Sequence, residues 1–239
     1  MNPSSVQSGP NPTAHLRWFS ADAYLFDIDG TLLNTRDMVH WDALHQAILE
    51  AYGIETTIEG IAFHGKTDLG ILRAALAREG ISDGKFEANL SAALAVICRE
   101  VATNAGKIVA EICPAIPDVL SHLQSAGKLL GVASGNLESV GWQKIKAAGL
   151  ESFFSFGYFS DHCEMRAEIF HNAVNEAHRR LGDNASVCFV GDTPEDISAA
   201  RAAGAQVIAV CTGIYQQQEL SQLQPDFCVT SCVELLELR

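Results

Sequence analysis

The 239-residue chain has no apolar run approaching the roughly 18–20 residues needed to cross a bilayer. Its opening residues, Met1-Asn2-Pro3-Ser4-Ser5, carry neither the basic head nor the apolar stretch of a secretory leader. Positive charge is scarce: 16 Lys and Arg stand against 29 Asp and Glu, for a formal net charge of −13. A chain with that balance is poorly suited to tracking nucleic-acid phosphates or an anionic lipid surface. Any bound anion needs a local positive site made by a metal, a basic side chain or helix N-termini. The seven cysteines include no C-x-x-C pair, and several sit in apolar runs, such as Cys188 in Val187-Cys188-Phe189-Val190. They are expected to be buried free thiols in a reducing cytosol. Cys228 and Cys232 lack neighbours that would complete a metal site. The expectation is a cytoplasmic protein, monomeric or homodimeric, with no nucleic-acid or membrane partner.

Hydrophobic residues make up 48% of the chain and charged residues 19%, a globular composition with ample apolar surface for a core. The Pro, Ser and Gly content through Pro12 marks a flexible lead-in, taken as residues 1–20. From Ala21 short apolar runs recur: Ala23–Phe26, Leu129–Ala133, Phe156–Phe159, Val187–Val190, Val207–Val210 and Phe227–Val229. Amphipathic stretches separate them, and several stop at glycines suited to helix C-caps, namely Gly127, Gly149, Gly182 and Gly204. Alternating helices and strands, with the strands apolar on both faces, predict an α/β fold with a parallel sheet covered by helices on both sides. Residues 34–114 differ. Trp41, Leu44, Ile48 and Ala51 share one helical face, Ile71, Leu72, Ala75 and Leu76 another, and Phe86 to Val101 a third. This predicts a helical insertion, residues 34–114, in a sheet domain of residues 21–33 and 115–239.

Four polar segments fall where strands end, the edge at which open parallel sheets bind ligands. They are Asp27-Ile28-Asp29-Gly30-Thr31, Ser134-Gly135-Asn136, Arg166, and Gly191-Asp192-Thr193-Pro194-Glu195-Asp196. Asp27 and Asp29, two apart on an extended segment, point to one side. Two carboxylates so placed repel unless a cation joins them or one is protonated. Gly30 permits a conformation costly for other residues, and the Thr31 hydroxyl braces the turn. The Ser134 hydroxyl, with free backbone N–H groups at a helix start, makes an anion site, although an ordinary helix cap has the same residues.

In this order, these motifs resemble those of the haloacid dehalogenase superfamily over residue 21 to the end. The insertion resembles the helical cap of its phosphoglycolate-phosphatase-like branch. The resemblance implies a Rossmann-like, doubly wound core and a Mg²⁺-dependent phosphatase acting on a small phosphorylated metabolite. By it, Asp27 attacks phosphorus to form an aspartyl-phosphate. Asp29 acts as general acid and base, and its main-chain carbonyl is a metal ligand. Asp27, Asp29 and Asp192 hold the metal, with Asp196 steadying the ligand set. Ser134, Gly135, Asn136 and Arg166 bind phosphate. Arg166 also has a competing reading as a solvated residue, because the Lys-Pro form of this motif is absent. In the cap turn His64-Gly65-Lys66-Thr67-Asp68, His64 and Lys66 read the substrate by the same resemblance, against a solvated loop beside a helix cap. Asp29 and Asp192 together weigh against dehalogenation. A phosphomutase, a phosphonate hydrolase and a non-catalytic phosphate binder are the remaining alternatives.

Overall fold

The computed structural model describes residues 18–238. The strands are β1 (Ala23–Phe26), β2 (Leu33–Thr35), β3 (Ala110–Ile112), β4 (Leu129–Ala133), β5 (Gly157–Tyr158), β6 (Val187–Gly191), β7 (Gln206–Val210) and β8 (Phe227–Val229). The helices are α1 (Val39–Tyr52), α2 (Asp68–Arg78), α3 (Asp83–Thr103), α4 (Ile116–Ser125), α5 (Glu138–Ala147), α6 (Arg166–Leu181), α7 (Pro194–Ala202), α8 (Gln217–Ser221) and α9 (Cys232–Glu237). Six strands form one sheet in the order β5-β4-β1-β6-β7-β8, with each neighbouring pair parallel.

The two-residue period of the strands divides the core. Tyr24, Phe26, Val190 and Ile208 face Val119, Leu120 and Leu123 of α4 and Ile145 of α5. Leu25, Phe189 and Val207 face the opposite layer, where Ile169, Phe170 and Ala173 of α6 meet Ile197 and Ala200 of α7. Phe170 and Phe189 stack at 4.0 Å between centroids, with their rings 4° from parallel. Covering both faces explains why these strands are near-continuous apolar runs. From β1 the chain moves outward on one side through β4 and β5, then crosses to β6, β7 and β8 on the other. The strand order therefore reverses around β1, which opens a crevice at the carboxyl ends of β1, β4 and β6.

Helices α1, α2 and α3 lie between β2 and β3 in the chain and share their own apolar core, including Leu44, Ile48, Leu72, Phe86 and Ile97. Gly53 ends α1 in the left-handed conformation, and the Thr67 hydroxyl caps α2 by accepting from the Gly70 N–H at 3.0 Å.

Three features depart from the sequence expectations. Residues 34–114 show little strand signal, yet β2 and β3 pair as an antiparallel ribbon that carries the chain into and out of the helices. The strand expected over Phe156–Phe159 is regular only at Gly157–Tyr158, and Phe156 and Phe159 pack into the core on either side of it. The lead-in expected over residues 1–20 lies mostly outside the described residues. Its last part is packed: Trp18 is buried, and its carbonyl accepts the Tyr24 hydroxyl at 2.7 Å.

Candidate active site

Asp27 follows β1 directly, and its N–H continues the strand pairing by donating to the Val190 carbonyl at 3.0 Å. Asp192 follows β6 next to it. The Thr31 hydroxyl donates to Asp192 Oδ1 at 3.0 Å, so the turn after β1 holds the acid after β6. Two glycines allow that approach. A Cβ on Gly30, at φ +85°, would lie 2.3 Å from Asp192 Oδ2, and one on Gly213 would lie 1.8 Å from the same atom. Asp196 sits in the first turn of α7, in a reciprocal cap with Thr193: its Oδ2 accepts the Thr193 N–H at 3.0 Å and hydroxyl at 2.7 Å.

The carboxylates of Asp27, Asp192 and Asp196 are buried, and one oxygen from each lies within 4.8 Å of the others. Arg166, the first residue of α6, is buried among them. Its Nη2 lies 2.6 Å from Asp27 Oδ2 and 2.7 Å from Asp196 Oδ1. The solvated reading of Arg166 is therefore wrong: its packing against Asp27 and Asp196 removes it from water. Its buried Nε has no hydrogen-bond partner among the described residues.

One cation among three carboxylates leaves the cluster short of positive charge. Asp27 is raised to about 6 on balance: burial pushes it up, the Arg166 charge pulls it down, and Asp196 and Asp29 add to the rise. Asp192 is raised well above its ordinary value by burial, then by Asp196 and Asp27. A buried all-oxygen set with excess negative charge has the donor chemistry of a site for a hard divalent cation.

The Asp29 carboxylate is not part of this triad and pairs with Lys144. Lys144 Nζ, on α5, donates to Asp29 Oδ1 at 2.9 Å and Oδ2 at 2.7 Å, and to Asn136 Oδ1 at 2.9 Å. Asn136 Nδ2 donates to Asp29 Oδ2 at 2.8 Å and to the Ser134 hydroxyl at 2.9 Å. Burial acts to raise the Asp29 pKa, but the Lys144 charge and the two side-chain donors outweigh it and leave the carboxyl below its ordinary value. The Asn136 side chain is thus committed to Asp29, Lys144 and Ser134. The helix that begins at Glu138 takes no side-chain cap from this segment.

The turn between α1 and α2 is docked on the sheet domain. The Asp68 N–H donates to the Gly135 carbonyl at 2.8 Å, and Asp68 Oδ2 accepts the Leu137 N–H at 2.8 Å. The Thr67 hydroxyl donates to the Glu164 carbonyl at 2.7 Å. His64 and Lys66 both line the cavity that opens over Asp27 and Asp29, a space of about 540 Å³. Lys66 is partnered across the cleft by Glu195, at 3.4 Å. The solvated-loop reading of this turn does not hold for Thr67 and Asp68, which are buried.

Two lining residues went unread in the sequence. His40 lies 3.2 Å from Asp68 Oδ2 and lines the cavity. Lys144 shares the buried face of α5 with Val140, Gly141 and Ile145. A lysine on an apolar helical stripe is the signal that could have drawn attention to it. All seven cysteines are free thiols, and Cys113, Cys188 and Cys232 are buried. Among the described residues no helix is long and apolar enough to cross a membrane.

The family model described as haloacid dehalogenase-like hydrolase matches residues 24–210. The chain is 26% identical over 218 residues to the pyrophosphatase PpaX of Bacillus pumilus, covering 90% of this chain and 94% of the relative. It is 28% identical over 128 residues to a phosphoglycolate phosphatase of Synechococcus elongatus, 53% of this chain and 58% of that one. The crystal structure of CbbY from Rhodobacter sphaeroides in complex with phosphate shares the fold, with a TM-score of 0.67, 17% identity, and coverage of 90% of this chain and 96% of that one.

Proposed function

The chain belongs to the haloacid dehalogenase-like hydrolases, and within that family we propose that it is a phosphatase that splits a small phosphomonoester through an aspartyl-phosphate on Asp27. The observation that carries this reading is the contact of Asp27 with Arg166, 2.6 Å apart at the switch point of the sheet and beside Asp192 and Asp196. An arginine that neutralises a carboxylate beside the open cleft suits a nucleophile that must meet a dianion.

In the first half-reaction Asp27 Oδ attacks phosphorus while Arg166 balances charge on the transferred group. Asp29 gives a proton to the leaving oxygen, and in the second half-reaction it takes one from the attacking water. Its lowered pKa leaves it ionised, as the second role requires. Lys144 and Asn136 hold the Asp29 carboxylate in place through both steps. Ser134 and the backbone that follows β4 line the same cavity and would receive the phosphoryl oxygens. Asp27 and Asp192, with the Asp29 main-chain carbonyl, would hold a Mg²⁺ ion steadied by Asp196. When bound, the ion supplies charge neutralisation on the phosphoryl oxygens. The three-helix insertion serves as the cap that closes the site to bulk water.

The test is phosphate release from a panel of small phosphomonoesters, in magnesium and in EDTA, with wild type and Asp27→Asn. Release that requires both magnesium and Asp27 is expected. Release that survives either loss overturns the reading.

A further inference from the structure

The cavity over Asp27 continues into the helical insertion, and there its chemistry changes. Met38, Trp41, Leu44, Ile58, Phe63 and Ile71 line that side. Trp41 and Leu44 are three apart on α1 and so face the same way. Phe63, in the turn before α2, is 36% exposed although it is a large apolar ring. Trp41 and Phe63 meet edge to face, 5.9 Å between centroids and 78° apart in plane, and His64 lies against Phe63 at 4.3 Å. An aromatic pair in a cleft, with Phe63 exposed and Trp41 half-buried, is the kind of surface that a ligand covers.

The charged groups of the cavity point the same way. Arg36 is paired with Glu111 at 2.5 Å, Lys66 with Glu195 at 3.4 Å, and His40 lies 3.2 Å from Asp68. Lys144 faces Asp29, and Arg166 faces Asp27 and Asp196. Each Lys and Arg of the lining already has a carboxylate partner within 4 Å. A carboxylate or second phosphate on the leaving group would have to displace one of these partners, in a cavity that also holds Asp37 and Asp192. Removing such a group from water without a free counter-charge is costly.

We infer that the ester's leaving group is uncharged and carries a planar apolar portion seated against Trp41 and Phe63, with no second anionic group. This rests on the phosphatase reading and names the substrate class for that site. A carboxylated ester such as phosphoglycolate, or inorganic pyrophosphate, presents a charge where this wall is apolar.

The experiment compares kcat/KM for benzyl phosphate, ethyl phosphate, phosphoglycolate and pyrophosphate, using wild type, Trp41→Ala and Phe63→Ala. All four are also measured as ligands of magnesium-loaded Asp27→Asn by calorimetry, which ranks them without turnover. In wild type, benzyl phosphate is expected to exceed ethyl phosphate about tenfold, and the two anionic compounds to fall below ethyl phosphate. Either alanine variant should lower the benzyl-to-ethyl ratio severalfold. Preference for phosphoglycolate or pyrophosphate, in rate or in binding, overturns the inference. So does a benzyl-to-ethyl ratio that neither variant moves. If no ester is split, the phosphatase reading fails, and the binding order still decides for or against the apolar leaving group.

Discussion

Lys144 Nζ contacts both carboxylate oxygens of Asp29, at 2.9 and 2.7 Å, from a helix 115 residues further along the chain. The ammonium is almost wholly buried, with 5% of the side chain exposed, whereas the Asp29 side chain is 41% exposed. Asn136 completes the arrangement by accepting from Lys144 and donating to Asp29. The effect is to fix one carboxylate at the mouth of the cleft while Asp27 and Arg166 form a separate pair beneath it.

Replacing Lys144 by methionine removes the clamp while keeping an unbranched chain in the α5 stripe. Asp29 keeps Asn136 and can be hydrated, so the melting temperature should change little. The rate should not: kcat is expected to fall about tenfold to a hundredfold, with a smaller change in KM. Steady-state kinetics beside a thermal melt checks this. An unchanged kcat would show that Asp29 needs no such clamp.

Gly213 bears on the metal site. An alanine Cβ there would lie 1.8 Å from Asp192 Oδ2, so Gly213→Ala must move that carboxylate. Weakening of magnesium binding by about tenfold or more is expected, measured by calorimetry or by the magnesium dependence of the rate. Unaltered affinity would remove Asp192 from the ligand set.

The raised carboxyls predict a pH dependence of stability in EDTA. Between its ordinary 3.8 and about 6, Asp27 holds a proton in the folded chain that the unfolded chain releases. Its contribution is thus fully present below the lower value and is lost as pH rises through the higher one. Asp192, raised in the same sense, adds to the loss. The melting temperature in EDTA should therefore fall from about pH 4 to 6, less steeply in Asp27→Asn. Saturating magnesium should flatten the wild-type slope, since the ion favours the ionised forms. Differential scanning calorimetry across that range checks both; equal slopes for the two proteins would contradict the Asp27 assignment.

Much of this architecture could be read from local pattern. The apolar runs at Leu129–Ala133 and Val187–Val190, and the helical stripe from Ile169 to Ala177, announce elements whose periodicity is set by burial. The ribbon of β2 and β3 was hidden because each strand has three residues, too few for a period to show, and its pairing joins segments 79 residues apart at Leu33 and Ile112. Short acidic motifs at strand ends drew attention to Asp27, Asp192 and Asp196, and the fold brings their carboxylates together. Lys144 escaped because its reason for being buried is Asp29, which only the packing of α5 over the end of β1 supplies. The pairing of Lys66 with Glu195 was likewise invisible, since it spans the cleft between the insertion and the sheet domain.

The central claim is that Asp27 carries the phosphoryl group. It is tested most directly by acid-quenching magnesium-loaded wild type, Asp29→Asn and Asp27→Asn during turnover of a phosphomonoester and mapping phosphorylated peptides by mass spectrometry. The account predicts one added phosphoryl group on the peptide containing Asp27, most abundant in Asp29→Asn, where the second half-reaction lacks its base, and absent from Asp27→Asn. Phosphate release with no phosphoryl group on that peptide, or with the group on another residue, would contradict it.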